Sequence, residues 1–122
     1  MITFNDYRDL EVWRRGVEIV KQVYLLTQTY PPSELYGITS QIRRAAISIP
    51  ANIAEGWARE SNRERAQFLA IAQGSLAETE TLLTLCEETG WFPAKDTAAV
   101  RGLMEETGKM LSTMRRKLRE NR

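Results

Sequence analysis

The chain has 122 residues, of which 43% are hydrophobic and 27% charged, with a net charge of +1. That balance suits one globular domain spanning residues 1–122, argues against a disordered chain, and gives no global attraction to nucleic acid or anionic membrane. There is no histidine and a single cysteine, Cys86, so an intrachain disulfide is excluded, a reducing cytoplasm fits, and the usual ligands of zinc or di-iron centres are lacking.

The opening MITFNDYRDLEVW carries acidic residues and no apolar run of signal-peptide length. No later stretch approaches the roughly eighteen apolar residues of a membrane span. A first helix is predicted over 9–29. Leu10, Trp13, Val17, Val20, Tyr24 and Thr27 step by three and four, and Val12, Gly16, Ile19, Val23 and Leu26 form a second stripe beside them. Two adjacent stripes are wider than one coiled-coil seam, so this helix touches at least two neighbours. Pro31 and Pro32 in TYPPSELYG then break it.

A second helix is predicted over 38–58. It contains QIRRAAISIPANIAEG, in which Gln41, Arg44, Ser48, Asn52 and Glu55 share one face about 80° wide at 100° per residue. Apolar residues occupy most other directions, so this polar stripe is expected to be at least partly buried. Pro50 removes one backbone hydrogen bond and crowds the Ala46 carbonyl, which predicts a kink near Ala46–Ile49 and a side chain such as Asn52 or Ser48 meeting the freed carbonyl.

A third helix is predicted over 62–89. Ser61 and Glu64 fit a capping box, Leu69, Ala72, Leu76, Thr79, Leu83 and Cys86 form the core stripe, and Gly90 is the natural stop. A fourth, over 95–119, keeps the same rhythm with Val100, Met104, Thr107, Leu111, Met114 and Leu118. No stretch alternates with period two. The predicted fold is therefore all-α, an antiparallel up-down-up-down four-helix bundle. In a hairpin of the second and third helices turning near residue 61, facing positions sum to about 122. That register places Arg44 near Glu78, Ser48 near Gly74 and Ser75, and Glu55 near Gln67. It predicts an Arg44–Glu78 ion pair and a close helix crossing at Gly74.

The segments DLEVWRR, YPPSELYGITSQIRRAAISIPANIAEGWAR and FLAIAQGSLAETETLL resemble the four-helix-bundle proteins encoded in intervening sequences of bacterial 23S rRNA genes. The likeness runs from about residue 9 to 118. That family in turn resembles the accessory variability protein of diversity-generating retroelements, whose members are pentameric rings that bind nucleic acid and partner with a reverse transcriptase. The resemblance implies a homo-oligomer, a pentamer, with a nucleic-acid connection. The near-neutral charge of this chain departs from the strongly basic pattern of the retroelement proteins.

The neutrality hides a polarity. In the predicted bundle, residues 1–15, 53–72 and 109–122 gather at one end with twelve Lys/Arg and seven Asp/Glu, while the remainder holds five and nine. Candidate nucleic-acid contacts are Arg59, Arg63, Arg65, Lys109, Arg115, Arg116, Lys117, Arg119 and Arg122. The competing account is a solvated face that complements a helix dipole.

Catalytic chemistry is poorly supplied. Cys86 lies on an apolar stripe with no histidine to activate it. Glu55 and Glu78 fall roughly 16 Å apart along the predicted hairpin, too far for paired acid–base work. Gly74-Ser75 is not a phosphate loop, since no Gly-Lys-Ser/Thr follows. Trp13 heads an apolar stripe and is expected in the core, whereas Trp57 and Trp91 fit a partner surface as well as a core edge. No enzyme, metal or cofactor is expected. The expectation is a cytoplasmic, non-enzymatic homo-oligomer that contacts RNA or DNA through a basic rim, or alternatively a protein–protein adaptor or scaffold.

Overall fold

The computed structural model describes residues 6–28 and 37–121. Pro31 and Pro32 therefore lie outside the described residues, as does Arg122. A short 3-10 turn, Tyr7–Asp9, is capped by the Asp6 carboxylate, which accepts from the Arg8 backbone N–H at 2.8 Å. Four helices follow: α1 Glu11–Thr27, α2 Ile38–Trp57, α3 Asn62–Glu88 and α4 Ala94–Glu120. The fold is all-α, with no strand among the described residues.

The helix ends follow local chemistry. The Ser61 hydroxyl accepts from the Glu64 N–H at 3.1 Å and donates to the Glu64 carboxylate at 3.0 Å, so α3 starts where the cap signal stands. At the other end Gly90 takes φ +82°, a left-handed conformation that glycine adopts without a Cβ clash. Trp91 N–H then reaches the Cys86 carbonyl at 3.0 Å and Gly90 N–H the Glu87 carbonyl at 3.1 Å, the paired bonds of a Schellman stop.

Each helix packs on two others: α2 on α1 and α3, and α4 on α3 and α1. Ile19, Val23, Ile42, Ile49, Ile53, Leu69, Leu83, Met104 and Leu111 are all but fully buried between them. Of the two stripes on α1, the one through Val12, Gly16, Ile19 and Val23 is the deep one. Trp13 is only half-buried. It packs against the edge of the core and meets Tyr7 edge-to-face at 5.2 Å, because the 3-10 turn folds back over that corner. Cys86 is fully buried.

The second helix departs most from expectation. Gln41, Arg44 and Glu55 are exposed, and only Ser48 and Asn52 are half-buried. The solvent side of α2 also includes Ile47 and Ala51, so the apolar arc is narrower than it looked. Small or isolated apolar side chains tolerate water readily. Asn52 Nδ2 donates to the Ser48 carbonyl and to the Ser48 hydroxyl, each at 2.8 Å, rather than to the Ala46 carbonyl. The Pro50 ring is buried, and a Cβ built on Gly16 of α1 would lie 3.3 Å from its Cβ. Proline is tolerated where the facing helix offers a bare backbone.

Candidate nucleic-acid interface

The end of the molecule holding the α2–α3 turn also receives the last turn of α4. The Asn62 side chain, first residue of α3, donates to the backbone carbonyl of Asn121 at 2.9 Å. Arg63 on α3 and the Lys117–Arg119 turn of α4 are thereby gathered at one end. All three cations are exposed, and none has a hydrogen bond or ion pair to a described residue.

The other candidates are engaged to different degrees. Arg116 is exposed but leans on Glu120 at 3.8 Å. Lys109 pairs with Glu105 at 3.5 Å, further up α4 and away from the turn. Arg115 is half-buried and donates to the Gln73 carboxamide oxygen, while Gln73 Nε2 donates to the Ser112 hydroxyl at 2.8 Å. Arg115 therefore clamps α4 to α3 and has less freedom to meet a phosphate. Arg59 stacks over Phe68 at 4.7 Å and pairs with Glu55 at 3.4 Å, and Arg65 stacks over Trp57 at 5.5 Å and donates to Asn62 at 3.2 Å. Such cation–π contacts hold each arginine by roughly 0.5–1 kcal/mol when partly exposed. The Nε atoms of Arg59, Arg65 and Arg115 are buried without a hydrogen-bond partner. Rings cover the guanidinium groups of Arg59 and Arg65, and a terminal nitrogen of each of the three is committed, to Glu55, Asn62 and Gln73 respectively.

The polar stripe of α2 forms a separate place. Ser75 of α3 donates to Ser48 at 2.8 Å, so the register placing Ser48 beside Ser75 holds. Arg44 and Glu78 line one cleft with Gln41, Ala45 and Ser48 but make no ion pair. Both side chains are exposed, and water competes with their attraction. The close crossing expected at Gly74 is also absent. A Cβ there would meet nothing within 4 Å, because Gly74 faces outward. The tight approach lies at Gly56, where a Cβ would stand 2.6 Å from the Cβ of Phe68.

At the far end, Glu87 is fixed by three donors. Arg101 reaches it through Nε at 3.1 Å and through a second, shorter contact, and the Thr97 hydroxyl donates as well. The Arg101 hydrogen bond is the main reason the Glu87 carboxyl sits below its ordinary range. Arg15 of α1 pairs with Glu106 of α4. These α3–α4 and α1–α4 links, like Asn62–Asn121, escaped the sequence reading. The register of the second hairpin, in which Gln73–Ser112 and Thr84–Arg101 each sum to 185, was the available signal.

Among the described residues no group of three or more His, Cys, Asp or Glu could hold a metal ion. What remains is a class: an all-α, four-helix protein with cations gathered at one end. Residues 8–113 match the family described as 23S rRNA-intervening sequence protein, and the chain belongs to that family. It is similar to a crystal structure of a protein of unknown function from the S23 ribosomal protein family of Bacteroides thetaiotaomicron. The TM-score is 0.76 at 26% identity, covering 84% of this chain and 96% of that one. No curated protein matches.

Proposed function

We propose that this chain is a non-enzymatic, homo-oligomeric bundle of antiparallel up-down-up-down course that contacts the phosphates of RNA or DNA through its basic end. The observation carrying the reading is the exposed set Arg63, Lys117 and Arg119, without described partners, drawn to one end with the Asn62–Asn121 hydrogen bond. The antiparallel course is supported by the contact pairs Arg43–Thr27, Ser48–Ser75 and Gln73–Ser112. The kink near Pro50 belongs to the same proposal. The oligomer, a pentamer by resemblance to the retroelement proteins, is supported by Ile47 and Ile71, which are 43% and 51% exposed on α2 and α3. Repetition of the basic end around a ring multiplies its phosphate contacts. No helix among the described residues is long and apolar enough to cross a membrane, and we assign the protein to the cytoplasm.

The test is a titration of fluorescent structured RNA and duplex DNA at about 50 and 200 mM salt. Three phosphates neutralised by the set on a single protomer predict an affinity loss of about 40-fold between those salts, and a steeper loss where further protomers of a ring engage. A variant carrying Arg63→Gln, Lys117→Gln and Arg119→Gln should bind weakly and with a flatter salt slope. No binding of either nucleic acid at the lower salt sinks the proposal and leaves the adaptor role.

A further inference from the structure

The cleft between α2 and α3 has an arrangement that the basic end does not use. In the single chain it is open to solvent, encloses about 490 Å³, and is lined by Gln41, Arg44, Ala45, Ser48 and Glu78. Ile71 stands two turns from Glu78 on α3, so the site requires that contacts between copies stop short of the cleft. A guanidinium and a carboxylate share this small space without pairing, and neither has another described partner. The Gln41 carboxamide likewise has no hydrogen bond to a described residue.

Ser48 adds a third feature. Its hydroxyl oxygen accepts from the Ser75 hydroxyl and from Asn52 Nδ2, both at 2.8 Å. Where Ser75 is the donor of that pair, both lone pairs of the Ser48 oxygen are taken and its proton is left for a ligand, on a residue that lines the cleft. Asn52 and Ser75 hold this hydroxyl in place from below, each anchored on its own helix. Donors from Ser48, Gln41 and Arg44 thus border the same space, with the Glu78 carboxylate across from them.

We propose that this cleft binds a free α-amino acid. Its carboxylate meets the Arg44 guanidinium, in the forked geometry that arginine offers carboxylates, with Ser48 and Gln41 as further donors. Its ammonium group meets Glu78. A ligand carrying both charges satisfies both residues, whereas an anion alone is repelled by Glu78 and a cation alone by Arg44. Because the cleft is open and its charges are hydrated when empty, the expected Kd is of order 1 mM.

The experiment adds each of the twenty proteinogenic L-amino acids, at about 10 mM, to the full-length protein and follows the thermal midpoint, with calorimetry on any that raise it. At least one should bind. Propionate and ethylammonium, which carry one charge each, should bind about tenfold more weakly or not at all. Arg44→Gln and Glu78→Gln should each abolish binding while leaving circular dichroism unchanged, since both side chains are exposed and neither pairs with a described residue. Gln41→Ala, a milder change, should weaken binding severalfold. Absence of binding by every amino acid overturns the proposal, as does binding that survives both charge variants. A change in oligomer mass in Arg44→Gln, without amino-acid binding by the wild type, reassigns the cleft to a contact between copies. Failure here leaves the nucleic-acid titration untouched, because Arg63, Lys117 and Arg119 lie outside this cleft.

Discussion

Gly56 is the residue where a single atom matters most. With the nearest heavy atom a Cβ fixed to the α3 backbone only 2.6 Å away, a methyl group cannot be absorbed by turning a side chain. The helices themselves must separate, and Gly56→Ala should cost about 1–3 kcal/mol by overpacking, seen as a lower urea midpoint. An unchanged midpoint would show that α2 and α3 can part there freely. Gly74→Ala is the control, since its Cβ would enter open space and alanine favours a helix by roughly 1 kcal/mol. The sequence pointed to Gly74 and passed over Gly56, for a physical reason. Register arithmetic says which residues sit opposite, but not how closely two backbones approach. The same limit explains Arg44 and Glu78: adjacency was legible, and the choice of two hydrated side chains not to pair was not.

At the scale of the helix, what is local was legible and what depends on two helices meeting was less so. Ser61 and Gly90 end α3 through bonds that close within five residues, so their signals survive without tertiary context. The Glu87–Arg101–Thr97 clasp needs the end of α3 to meet the start of α4. Its carboxyl is held below the ordinary carboxylate range, chiefly by the Arg101 hydrogen bond and further by Thr97. The folded protein therefore binds that proton more weakly than the unfolded chain. The clasp's contribution is complete above the unfolded carboxylate range, near pH 4–5, and fades as pH falls through the lower folded value. Thermal midpoints recorded from about pH 7 down to pH 3 should drop less steeply for Glu87→Gln than for the wild type below pH 5. Parallel curves would mean that the clasp exchanges freely with water.

Seen whole, the molecule keeps its helices at 26% identity to its Bacteroides counterpart, with a TM-score of 0.76. Periodic apolar stripes specify that architecture redundantly, which is why the all-α, four-helix fold could be read from the sequence. The gathering of charge is less redundant. Nine candidate cations spread into three exposed ones without described partners, several that bind neighbours, and Arg122 outside the described residues. Only side-chain geometry separates these groups. The proposed pentamer has its own check at this scale. Sedimentation should give a mass about five times the 14.0 kDa of one chain, reduced by Ile71→Glu, and a single-chain mass would overturn it. The Arg65 guanidinium over the Trp57 indole, beside the rim, has an optical consequence. A phosphate that draws Arg65 away changes the polarity at one indole, so ligand binding at this end becomes readable as a shift in intrinsic emission, without any attached dye.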